Sequence, residues 1–229
     1  MRNKLFSQIV LLLGSILLAS GSFADTVSIG LQSGNGTIQN ETTTSCGTGC
    51  VTITSPISVG GFTAQSLTAF DGVTPPDFTV NAGLEKSTST GTFRLYFSDQ
   101  GLTAATAGNF AGGWSATTVP AGWTVTVTTY VDTSNGLFTT TCATCTMVGT
   151  ATFTGNGSSN TWSNLMSLTG TFSETTVITF TINQADSTLT SIAGGEDTNF
   201  VPAPEPSSLL LLGTGLVGFA KVIGSKLLS

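Results

Sequence analysis

The sequence predicts an all-β fold, an antiparallel β-sandwich of jelly-roll or immunoglobulin-like order. Three observations carry that prediction. Polar and apolar residues alternate in short runs through the body of the chain, the period of a half-buried strand. Tight-turn dipeptides, Asn35-Gly36, Asp71-Gly72, Asn135-Gly136 and Asn156-Gly157, punctuate the runs. No stretch of the body sustains a 3.6-residue apolar period between helix caps. Closely spaced strands without helices pack as two antiparallel sheets.

The runs follow in order. Thr26–Leu31 alternates, and so does Cys50–Thr54 until Pro56 ends it. Phe62–Phe70 is a third strand, its phase blurred at Ala64-Gln65-Ser66. Phe78–Val80 is short and follows Pro75-Pro76; Thr92–Phe97 is strong; Trp123–Val131 is the longest. Leu137–Thr141, Thr146–Phe153, Leu165–Phe172 and Thr175–Asn183 complete the set, with Leu189–Ile192 as a marginal addition. Asp132–Gly136 reads as a hairpin loop, and the Ala/Gly/Thr-rich segment Gly101–Gly122 as the long loop.

Composition limits the chemistry. Between residues 25 and 200 the only basic side chains are Lys86 and Arg94, against eleven acids, a formal balance of −9. Such a body is repelled by phosphate backbones, which argues against nucleic acid as a partner. Charged residues make up 8% of the chain, so threonine hydroxyls must wet the strand faces that charges usually wet. Histidine is absent, which removes Ser-His-Asp and Cys-His catalysis and histidine metal sites. The nearest acid clusters, Asp71/Asp77 and Glu196/Asp197, lie in loop-like sequence and read as solvated surface groups. The oxygen-rich segment Asp132–Gly136 does not match a calcium loop and reads as a turn. No catalytic residue, metal or cofactor is expected.

Four cysteines stand as Cys46/Cys50 and Cys142/Cys145. In an exported chain they are disulfide candidates. Local pairs are favoured by the small, turn-forming Gly47-Thr48-Gly49 and Ala143-Thr144 between them. The two cross pairings stay open. They would close far longer loops and stabilise more in the loop-entropy model. Trp114 and Trp162 sit in Gly/Ser/Asn-rich sequence and are the residues for a glycan contact, with a core role as the equal alternative. Trp123 and Tyr130 lie on the longest strand and read as core.

The two ends are addresses. Residues 1–24 read as a secretory signal peptide: Arg2 and Lys4, an apolar run Leu5–Ala19, then small residues leading to a cleavage point after Ala24. The apolar run Leu209–Ala220 covers about 18 Å as a helix, less than a ~30 Å hydrocarbon core, and reaches a span only with Lys221 and Lys226 snorkelling. Glu205 before the run and lysines after it favour a cytoplasmic C-terminus. Pro204-Glu205-Pro206-Ser207, followed by Leu209-Leu210-Leu211-Leu212-Gly213-Thr214-Gly215-Leu216, resembles the PEP-CTERM sorting signal over residues 201–229. The resemblance implies a Gram-negative, polysaccharide-producing bacterium. There an inner-membrane exosortase receives a transiently inserted precursor, cuts near the motif and releases the body to the surface or matrix. The expectation is an exported, non-enzymatic surface or matrix protein associated with exopolysaccharide or biofilm. The alternatives are a carbohydrate-binding module and, behind it, a polysaccharide-degrading enzyme.

Overall fold

The computed structural model describes residues 26–41, 44–47, 49–71, 77–104, 107–141, 143–155, 158–168 and 170–199. The expected signal peptide, residues 1–24, and the expected sorting segment 201–229 lie outside the described residues. Among the described residues fourteen strands are formed: β1 (Thr26–Ser33), β2 (Gln39–Asn40), β3 (Thr44–Gly47), β4 (Cys50–Ile53), β5 (Ile57–Val59), β6 (Phe62–Asp71), β7 (Asp77–Ser87), β8 (Gly91–Ala104), β9 (Ala107–Thr117), β10 (Trp123–Asp132), β11 (Cys145–Phe153), β12 (Ser158–Ser167), β13 (Gly170–Ile182) and β14 (Ser187–Asn199). They make two antiparallel sheets. The first runs β11-β10-β13-β8-β1-β2; the second runs β12-β9-β14-β7-β6-β4-β3, with β5 also on β6.

Residues 77–199 form one long antiparallel hairpin. Its arms pair β7 with β14, β8 with β13, β9 with β12 and β10 with β11. The register runs from Asp77↔Asp197 through Gly91↔Ile182, Ala104↔Gly170 and Ala116↔Ser158 to Asp132↔Cys145. Both arms cross between the sheets together, so each sheet takes alternate segments of the hairpin. That order is a jelly roll and decides the alternative the sequence left open. β6 adds beside β7 and β1 beside β8.

Alternation along the strands fills the interior. Phe62 stacks on Phe93 at 5.1 Å between centroids and tilts against Phe180 at 5.0 Å, while Trp123 meets Phe180 edge-on at 6.2 Å. Each such ring is worth about 1.5–3 kcal/mol through burial. A second cluster, Leu102, Phe110, Val131, Val148, Leu168 and Phe172, closes the far end. Trp123 also pins the corner where the arms bend. Its indole Nε1 donates to the Gln184 carbonyl at 3.1 Å and to Ser187 Oγ at 2.7 Å. The blurred phase at Ala64-Gln65-Ser66 is real. Ala64 and Leu67 both point inward, as do Glu85 and Ala82 opposite them, and Leu189 and Ile192 beyond. Three neighbouring strands change phase at one level.

Three expectations are corrected. Gly101–Gly122 is not one long loop: it holds the end of β8 and all of β9, with residues 118–122 as the connection to β10. Its small residues belong to a strand whose inner face carries Phe110, Gly112, Trp114 and Ala116. Leu137–Thr141 is not a strand: Asn135 and Phe138 hold positive φ values of 58° and 53°, which break an extended run. Leu165–Phe172 straddles two strands, β12 and β13, at a crossing between the sheets. Phe78–Val80 and Leu189–Ile192 are parts of the longer β7 and β14.

Candidate functional site

Trp114 lies on β9 facing inward and is 2% exposed. Its ring lies over Gly194 of β14, where an added Cβ would stand 2.6 Å from the indole Cδ2. The ring is a core element and offers no face to a glycan, so of its two readings the core one holds. The side chain of Trp162 lies outside the described residues, although its backbone is placed on β12, opposite Gly112. Pro204, Glu205, Pro206 and Ser207, and the side chains of Cys46 and Cys142, also lie outside them. Cys50 and Cys145 are not free thiols.

The hairpin tip, residues 133–144, is built on one carboxylate. Asp132 ends β10 and is buried. Its Oδ1 accepts from the Ser134 amide at 2.8 Å, Ser134 Oγ at 2.8 Å and Thr144 Oγ1 at 2.7 Å. Its Oδ2 accepts from the Gly136 amide at 3.1 Å and Thr139 Oγ1 at 2.9 Å. Burial alone would raise the pKa of this group. The hydrogen bonds from Thr144, Ser134 and Thr139 outweigh it and hold the carboxyl well below the usual range. A carboxylate surrounded by donors suits a turn and opposes a cation, which needs acceptors around it. The tip then folds over the outer face of the first sheet. Gln100 Nε2 donates to the Asn135 carbonyl at 2.8 Å, and Ser173 Oγ to the Gly136 carbonyl at 2.7 Å. Phe138 packs on Tyr96 and Val177. Gly30 is required beneath it, since a Cβ there would stand 2.8 Å from Ile38 and 3.0 Å from Phe138.

Inside the sandwich the sequence missed a polar layer. Asp99 and Glu174 are direct cross-strand partners on β8 and β13, and both are fully buried. Beside them Thr129 and Thr176 share a hydroxyl contact of 3.0 Å. The alternation Phe93, Leu95, Phe97, Asp99 places the aspartate in phase with the core, and that phase was the available clue. The register also brings Asp77 opposite Asp197, with Asp71 and Glu196 both opposite Phe78. The acids read as separate clusters are therefore neighbours at one end of the second sheet. No three potential metal ligands converge among the described residues.

Glu85 is the counterpart of Asp132. It is fully buried on β7 between Ala64 and Leu189, and neither carboxyl oxygen has a hydrogen-bond partner. Burial pushes its pKa well above the ordinary value. The two basic groups lie elsewhere: Lys86 is exposed. Arg94 Nη1, on the outer face of the first sheet, donates to the Gly34 carbonyl at 2.6 Å and to Gln32 Oε1 at 3.2 Å. The same face carries threonine pairs in place of charges, Thr126 with Thr152 at 3.4 Å and Thr128 with Thr150 at 3.3 Å.

A protein-family model, the PEP-CTERM protein-sorting motif, matches residues 202–222. No curated protein matches the chain. Solved structures with similar layering include TmCBM61 in complex with β-1,4-galactotriose, at 13% identity and TM-score 0.29, over 53% of this chain and 68% of that one. The adhesin domain of Epf from Streptococcus pyogenes matches at 7% identity and TM-score 0.38, over 76% of this chain and 57% of that one. The enzymatically active domain of bacteriophage CBA120 tailspike protein 4 matches at 8% identity and TM-score 0.34, over 78% of this chain and 19% of that one. The likeness is one of β-layering alone.

Asp132 and Glu85 titrate in opposite directions. Asp132 has a depressed folded value, so its stabilisation is full above about pH 4 and drains as acid protonates it. Asp132→Ala costs about 2–4 kcal/mol at pH 7 and flattens the acid limb of a urea-denaturation series. An unchanged limb contradicts this role. Glu85 has a raised folded value, so its contribution is full below about pH 4 and is lost as pH rises. Glu85→Gln therefore melts higher than the parent at pH 8, on the order of 2–4 °C, and its advantage shrinks toward pH 4. Calorimetry at the two pH values decides it, and an equal advantage at both would contradict it.

Proposed function

We propose that a chain carrying this PEP-CTERM motif is the precursor of an exported, non-enzymatic protein of the bacterial surface or extracellular matrix. An exosortase cuts it at the motif, and the body is held in the host's exopolysaccharide or biofilm. The sorting motif at residues 202–222 carries the reading. It implies an exported precursor anchored in the inner membrane of a Gram-negative bacterium. The body is compatible with that destination. Its outer faces are wetted by threonine hydroxyls, it lacks histidine, and its Asp99–Glu174 carboxyl pair is buried away from any substrate. The second reading, a glycan-binding module, rests on Trp162, because Trp114 is in the core.

Processing is tested by intact mass of the protein recovered from the host surface. The expected mass lacks Leu209–Ser229. Deleting Pro204-Glu205-Pro206, or the host exosortase, leaves uncut protein in the membrane fraction. A mature mass that still includes Leu209–Ser229 overturns the processing step. That measurement also reports the oxidation of all four cysteines, and a peptide digest assigns local or crossed pairs. Glycan binding is tested by pulldown with the host's own matrix polysaccharide. The structural reading expects no saturable binding. Saturable binding that falls at least about tenfold in Trp162→Ala, with circular dichroism unchanged, supports the module instead. Turnover of that polysaccharide would overturn both.

A further inference from the structure

Proteins guard the edges of their sheets, because an edge strand presents unpaired amides and carbonyls to any passing strand. The usual guards are short edge strands, charges, prolines and bulges. Here the two sides of the sandwich are guarded very differently. On one side, the first sheet ends in the two-residue β2 and the second in the four-residue β3, whose pairing with β4 shifts register. Pro56 interrupts the chain between β4 and β5. That side is broken into pieces too short to template a partner.

On the other side, β11 ends the first sheet and β12 ends the second. From Thr133 to Ser173 the chain holds no charged residue and no proline. β11 has one guard, a register shift opposite Thr129/Tyr130, and it exposes Met147 at 53%. β12 has no such guard. It runs for 10 residues and keeps a regular register with β9 from Ser158↔Ala116 to Ser167↔Ala107. Among the described residues no strand is hydrogen-bonded to its outer side.

We infer that β12 is a self-association edge, and that its occupant is β12 of a second copy, antiparallel across a two-fold axis. Charge favours this partner. The rest of the body is acidic, so two copies meet with least repulsion where the acids are absent, and the uncharged stretch Thr133–Ser173 is that place. Geometry also favours it. An antiparallel pair of identical strands is self-complementary, so each copy satisfies the other's backbone groups. Because the opposite side is guarded, association closes at two copies and does not extend into a fibre. The inference does not depend on what the matrix contains.

The test is the molar mass of the exported protein from its host, by light scattering across micromolar concentrations. The expected result is a dimer. Thr161 of β12 is exposed, and Thr161→Lys places two like charges at the joint and weakens dimerisation roughly tenfold or more. Thr79 of β7 is exposed on the same sheet, away from that edge, and Thr79→Lys leaves the dimer intact. Circular dichroism confirms that both variants fold. A monomer throughout overturns the inference, and so does an open series of larger species. A dimer that survives Thr161→Lys, or is lost equally in Thr79→Lys, removes β12 as its seat.

Discussion

The structure depends on one constraint: every buried amide and carbonyl between residues 77 and 199 must find a partner while the chain changes sheets. A single hairpin meets it by bending both arms together. At the first bend, Ser87 still faces Ser187 on one side and Gly91 faces Ile182 on the other. At the second, Ala104 faces Gly170 and Ala107 faces Ser167. Register is carried through the corners, so the side-chain phase of each strand follows from that of its neighbour. Trp123 ties the corner from inside through Gln184 and Ser187. The phase change shared by Ala64, Glu85 and Leu189 shows the same dependence, since no one strand can change face alone.

Within that frame, carboxyl groups are separated by what surrounds them, not by their type. Asp132 and Glu85 are both fully or almost fully buried. One receives five donors from a tip that folds around it; the other sits among side chains that offer none. The first organises a loop over the outer face of the first sheet, and the second is a local cost of the core. Hydroxyls do most of the remaining polar work, in pairs such as Ser98 with Thr175 and Thr129 with Thr176. With so few charges, the polar groups of the fold are matched by donors and acceptors at hydrogen-bond range.

Much of this was legible in the residues. Strong alternation marked β1, β4, β10 and β11, and the turn at Asn135-Gly136 fell where the hairpin reverses. The failures have physical causes. Segment 101–122 looked like a loop because glycine, alanine and threonine dominate it, and two large inward residues, Phe110 and Trp114, are spaced among small ones. Leu137–Thr141 looked like a strand because its hydroxyls and apolar residues mimic one, while Asp132 held it in turns. Leu165–Phe172 looked continuous because Leu168 is buried at the crossing itself. Pairing over more than a hundred residues, as between Thr79 and Gly195, leaves no local trace. The jelly-roll order could only come from the structure. The sorting motif, by contrast, is read from consecutive residues and needs no fold.

The placement of the chain ends has an orienting effect. Thr26 pairs with Gln100, and Asn199 pairs with Asn109. Those partners flank the same crossing, between Ala104 and Ala107, so both described ends leave the sandwich together, opposite the corner that Trp123 pins. Asp71, Asp77, Glu196 and Asp197 gather at that same end. Anything gripping the final residues thus holds the molecule by its acid-rich pole, and the corner points away.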